Sequence, residues 1–143
     1  MPALCDIYLI ANALKGMEPG AYRFTPPGRF QLLGRGDFRA RAGYLCLEQA
    51  LGARAAATHF FCAGLDPALA ALGNRGYRAA QLEAGIRAGR LYLGAYAQGL
   101  GATGLTFYDD EVTEFLAPGT DESPMLCVAV GVDVRRPKLR RRA

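Results

Sequence analysis

The sequence predicts an α+β protein, and three observations carry that expectation. Strand-like and helix-like segments follow one another without regular alternation. No glycine fingerprint or phosphate loop sits between a strand and a helix, so a doubly wound sheet is not indicated. A single long helical stretch, about Arg75 to Gly99, is followed by a short strand, a short helix and an apolar closing strand.

The elements can be justified in order. "CDIYLIA" alternates and is β-branched enough to be a strand. "KGMEPGAYRF" reads as a glycine-proline turn leading into a short strand, with "GRFQLLGRGD" as its hairpin partner. Asp37 is placed to cap a helix running to about Ala53, in which Phe38, Ala42, Leu45 and Gln49 recur at helical spacing. "AATHFFCAG" follows as a strand, and Asp66 with Pro67 opens a short helix.

In the long helix, Leu82, Ile86, Gly89 and Leu93 follow the rhythm of a buried stripe. Ala84, Gly85, Ala88 and Gly89 place small residues four apart on adjacent lines. Interior glycine costs a helix about 1 kcal/mol against alanine. The pattern therefore predicts close approach of another helix, from this chain or a second copy. "ATGLTF" is strand-like, Asp109 and Asp110 start a helix through "EVTEFL", and "PMLCVAVGV" is a closing buried strand.

At 143 residues the chain is expected to form one domain over 1–131, with a basic tail at 132–143. Half the residues (51%) are hydrophobic and 21% charged, the balance of a globular protein. No apolar run is long enough to span a membrane, and the N-terminus lacks the basic region of a signal peptide, so the expected location is the cytoplasm.

The net charge of +4 belongs to the tail: six of 17 basic residues lie in the last nine positions, leaving 11 against 13 acidic. Such a tail binds polyanions or is simply solvated. The body offers no basic face with aromatic interleaving, so nucleic acid is not the expected partner. Cys5, Cys46, Cys62 and Cys127 each have apolar neighbours and no close partner in sequence, which reads as buried thiols rather than zinc ligands or disulfides. His59, the only histidine, has no motif around it and is read as structural.

One stretch, "QGLGATGLTFYDDEV", is unusually poor in side-chain bulk before its acidic cluster. Its small residues allow either a tight turn into a core strand or close approach of the backbone to a flat ligand.

The run "GNRGYRAAQLEAGIRAGRLYLGAYAQGLGATGLTFYDDEVTEFL", followed by "PMLCVAVG", resembles the C-terminal half of nitroreductase-like flavoproteins. "DIYLIANALKGMEPGAYRF" upstream resembles the SagB-type branch, which includes dehydrogenases of azoline rings in modified peptides. The resemblance covers about residues 5 to 131. It implies a nitroreductase-like fold, truncated at the N-terminus, with a mixed sheet packed on a long central helix. It also implies an intertwined homodimer with that helix at the interface, FMN bound there, and a nicotinamide as reductant.

On this resemblance Gly104, Leu105 and Thr106 lie along the flavin ring, and Lys138 and Arg140, in the "P-K-x-R" register of "RRPKLRRR", hold its phosphate. Tyr77 and Arg78 lie at the start of the central helix on the active-site side, or serve there only as a helix-start aromatic and a surface cation.

Relatives carry upstream helices with an "R-x-S-x-R" element that this chain does not show. Losing two or three charge-assisted bonds of about 1.5–3 kcal/mol each lowers FMN affinity by roughly three orders of magnitude or more. Three outcomes stay open: weak FMN binding, a separate chain that completes the site, or a flavin-free dimeric binding or regulatory domain on the same fold.

Overall fold

A computed structural model describes residues 3–134 of the chain. Six strands form one sheet: β1 (Cys5–Ala11), β2 (Gly20–Thr25), β3 (Arg29–Arg35), β4 (Ala57–Gly64), β5 (Gly101–Leu105) and β6 (Glu122–Gly131). Their order is β3-β2-β1-β4-β6-β5, and every pairing is antiparallel. Between them run α1 (Arg39–Leu45), α2 (Ala50–Arg54), α3 (Leu65–Leu72), α4 (Arg75–Ala97) and α5 (Asp109–Leu116).

The sheet is covered on both faces, and β4 shows why. Phe60 and Phe61 are adjacent, so the strand's two-residue period sends them to opposite faces. Phe60 joins Tyr8, Ile10, Leu45, Val112 and Cys127 in a core under α1 and α5. Phe61 joins Ala80, Ala84, Ala88 and Val128 in a core under α4. Both rings are fully buried, each contributing about 1.5–3 kcal/mol of apolar burial.

The long helix departs from the expected stripe. Its buried residues are Gly76, Ala80, Ala84, Ala88 and Ala95, all small. Gly76 packs on Ala68 of α3, and the alanines lie on the sheet, so Ala84 and Ala88 do not meet another helix as expected. Leu82, Ile86 and Leu93 instead point outward, at 66%, 50% and 70% exposure, with Gly85 and Gly89 beside open space. The leucine–isoleucine periodicity is real but marks the outer face. The sheet side is chosen by size, because alanines let the helix sit close to the strands.

A second departure is the helix expected from Asp37 to Ala53, which is broken in two. Leu47 (φ 53°) and Glu48 (φ 59°) both adopt left-handed backbone, ending α1 at Leu45 and re-aiming the chain before α2. Asp37 is not the cap: Phe38 takes the N-cap position without a side-chain cap bond, and Asp37, one residue earlier, accepts from the Arg39 N–H at 3.0 Å. Pro67 falls in the first turn of α3, two residues later than expected. β1 is anchored to α4 by Glu83, whose carboxylate accepts from the Leu4 and Cys5 N–H groups at 2.9–3.2 Å and pairs with Arg87 at 3.0 Å.

Candidate functional site

The glycine-rich stretch becomes β5, at one edge of the sheet. It pairs only with β6, in a register that sets Gly104 opposite Val128 and Leu105 opposite Cys127. The backbone groups on its other edge have no strand partner among the described residues. Gly104 is exposed, and a Cβ built on it meets only Tyr92 Oη at 3.7 Å and the Cys127 carbonyl at 3.8 Å. Those are ordinary contacts. The fold therefore does not need glycine at 104.

Downstream, the chain is held at two points on the α1–α2 junction. The Tyr108 N–H donates to the Leu45 carbonyl at 3.0 Å. Gln49 Nε2 donates to the Cys46 carbonyl at 2.9 Å and to Thr106 Oγ1 at 3.2 Å, with the Thr106 carbonyl at 3.4 Å. Because Thr106 Oγ1 accepts, its own hydroxyl proton remains available to a ligand. Leu105 faces inward, packed against the core beneath α1 and α5.

Beside this segment a cleft of about 620 Å³ runs along Gly101–Thr103, the end of β6 and the following Asp133, with Leu51 and Arg54 of α2 as its far wall. That volume lies within the roughly 300–1,000 Å³ typical of small-molecule sites. Among the described residues Arg54 is the cation that lines it, together with Val134, the last of them. Next to the segment, the Tyr44 and Tyr108 rings lie 5.4 Å apart, with Arg41 5.7 Å from the Tyr44 ring. The neighbouring Glu111 carboxylate pushes the Tyr44 hydroxyl above its usual range.

Gly104, Leu105 and Thr106 are thus contiguous at an open sheet edge. Lys138 and Arg140 lie outside the described residues. Tyr77 and Arg78 sit at the start of α4, while Gly104 adjoins Tyr92 fifteen residues on, about 22 Å along the helix axis. Within one chain the structure does not bring that pair to the segment.

Gln49, Tyr92 and Arg54 are contributors that sequence reasoning missed. The spacing treats Gln49 as one more turn of a continuous helix, and only the left-handed junction turns its amide toward Thr106. All four cysteines are free and buried. His59 has its Nδ1 buried without a partner, and burial lowers its pKa to about 4. Among the described residues no cluster of three or more metal-ligating side chains occurs, and no helix is long and apolar enough to cross a membrane.

No family model matches the chain. A candidate nitroreductase of Methanocaldococcus jannaschii is 30% identical over 129 residues, covering 88% of this chain and 64% of that protein. Among solved structures, a candidate nitroreductase from Anabaena variabilis superposes with a TM-score of 0.85 at 33% identity, over 90% of this chain and 27% of the other. The Escherichia coli microcin synthetase McbBCD complex, with truncated pro-MccB17 bound, gives 0.73 at 18% identity over 94% and 53%. An NADPH:FMN oxidoreductase from Vibrio harveyi, complexed with NAD+, gives 0.57 at 18% over 73% and 49%. The chain has the nitroreductase fold, is similar in sequence to these proteins, and spans less than two thirds of the length of the relatives it matches.

Proposed function

We propose that this chain, a nitroreductase fold with an open β5 edge, is an FMN-dependent oxidoreductase that moves hydride or electrons from a nicotinamide to an acceptor. The observation that carries the reading is Gly104: an exposed edge glycine that the fold itself does not require, in a segment clamped at both ends of its turn. A flat ring needs backbone within van der Waals reach, and a residue without Cβ provides it. FMN would supply the redox chemistry. The chain's own part is to bind and orient: Gly104 leaves the approach open, Leu105 ties the segment to the core, and Gln49 fixes the Thr106 hydroxyl. Lys138 and Arg140, on this reading, hold the phosphate. The likeness to the McbBCD complex supports the SagB-type branch.

Assembly belongs to the same proposal. The outer face of α4 carries Leu82, Ile86 and Leu93 around Gly85 and Gly89, an apolar strip with room for a facing helix. We read this face as the contact of a homodimer, with a separate chain completing the flavin site where one copy's residues do not suffice. Four free buried cysteines favour the reducing cytoplasm as its location.

The test is titration of the purified chain with FMN at low salt, read by the visible spectrum and flavin fluorescence. Saturable binding is expected, followed by bleaching on addition of NADH or NADPH. If millimolar FMN does not bind and no partner chain restores binding, the oxidoreductase reading fails. The outer face of α4 then favours the alternative, a flavin-free dimeric binding or regulatory domain.

A further inference from the structure

Two of the four thiols, 81 residues apart in sequence, meet in the core. Cys46 closes α1 and Cys127 lies in the middle of β6, and their Sγ atoms are 3.6 Å apart. Both are fully buried. Gly52 of α2 forms the wall behind Cys46: a Cβ built there would come within 3.1 Å of Cys46 Sγ. Cys46 is thereby held against Cys127, and its carbonyl is pinned by Gln49.

We propose that Cys46 and Cys127 are a dithiol that a low-molecular-weight disulfide converts to an intramolecular cystine, a modification site beneath the Gly104–Thr106 segment. The inference does not depend on flavin binding.

The chemistry balances as ordinary thiol–disulfide exchange. The Cys46 thiolate attacks one sulfur of the reagent, breaking its S–S bond and releasing one thiolate. Cys127 then attacks Cys46 Sγ in the mixed disulfide as its proton passes to the departing sulfur, which leaves as the second thiol. The two protein thiols are oxidised by two electrons, and the reagent is reduced to two thiols that take up the two protons. Either sulfur can donate in the 3.6 Å contact; Cys46 is the first nucleophile because the two short helices that cover it can open locally.

Access comes through the cover over Cys46. That cover is two short helices joined by left-handed Leu47 and Glu48, with Leu47 and Leu51 already 38% and 47% exposed. Short elements with exposed backbone belong to the low-stability end of a fold and open locally. The product would tie α1 to β6. These are the two elements that hold the segment, through the Leu45–Tyr108 hydrogen bond and the pairing of Leu105 with Cys127.

Cys5 and Cys62 are internal controls. They lie on opposite faces of the sheet, and Cys5 donates to the Ala80 carbonyl at 3.4 Å.

The experiment treats the native full chain with oxidised glutathione, quenches by alkylation and maps the digest by mass spectrometry. The expected product is a Cys46–Cys127 linked peptide, two hydrogens lighter than its parts, with Cys5 and Cys62 alkylated, and fully reversed by dithiothreitol. The Cys127→Ala variant should stop at a glutathione adduct on Cys46. The proposal is overturned if the folded wild type yields no link, links a different pair, or retains a stable glutathione adduct on Cys46. The wild-type map decides the matter even if the variant does not fold.

Discussion

Substituting Gly104 with alanine separates what the fold needs from what a ligand needs. The new methyl would meet Tyr92 Oη at 3.7 Å and the Cys127 carbonyl at 3.8 Å, both ordinary contact distances. Replacing glycine also narrows the unfolded ensemble, worth about 0.4–1 kcal/mol where the backbone is compatible. The melting temperature should stay level or rise by up to about 4 °C. A ring lying against the Gly104 backbone would instead be lifted by the methyl. It would lose one or two hydrogen bonds of about 0.5–1.5 kcal/mol each together with dispersion contacts at the optimum separation. A total near 2 kcal/mol corresponds to a roughly 30-fold loss of FMN affinity. Fluorescence titration and thermal denaturation of the same two samples give both numbers. Unchanged FMN affinity in a normally folded Gly104→Ala protein would refute the placement of the ring against this segment.

Three further outcomes follow from the same geometry. Gly89→Leu meets open space in the single chain, so helicity should be kept or improved while sedimentation velocity shows the dimer lost; an intact dimer would exclude this face as the contact. His59 has a folded pKa of about 4 against 6.5, so the unfolded chain binds the proton first; its stabilisation is full above pH 6.5 and is lost on falling to pH 4. Urea unfolding should show a loss of up to about 3 kcal/mol across that window, and His59→Leu should flatten it. Changing Lys138 and Arg140 together to alanine should weaken FMN at least tenfold while Arg141 and Arg142 matter little; equal effects at all four positions, with steep salt dependence, would instead mark a general polyanion contact.

The strand order along the chain was readable from local pattern, because β1, β4 and β6 carry dense apolar runs and the hairpin has its turn residues. The orientation of α4 was not. Periodicity detects which residues share a helix face but not which side of the sheet they take, and here the smaller side chains won the interior because they allow closer packing. The break after Leu45 was equally hidden. Leu47 and Glu48 are not residues that advertise left-handed backbone, and tertiary contacts of Gly52 against Ala42 and Cys46 fix that turn. The site divides in the same way. The stretch around Gly104 stood out by lack of bulk, and resemblance singled out Gly104, Leu105 and Thr106 within it, whereas Gln49 and the Cys46–Cys127 contact join positions 57 and 81 residues apart. No local spacing encodes those.

The composition of α4 also bears on the order in which the molecule assembles. Gly76, Gly85, Gly89 and Gly94 lie within its 23 residues, and each costs about 1 kcal/mol of helicity relative to alanine. A peptide of this segment alone would be mostly coil in water, since isolated helices are marginal even with good formers. Its helicity must be drawn from docking Ala80, Ala84 and Ala88 onto β4 and β6. Those strands have to be paired before the surface exists. The longest helix of the protein is therefore expected to form late, on a sheet already assembled, and its amides to exchange with solvent sooner than those of β4.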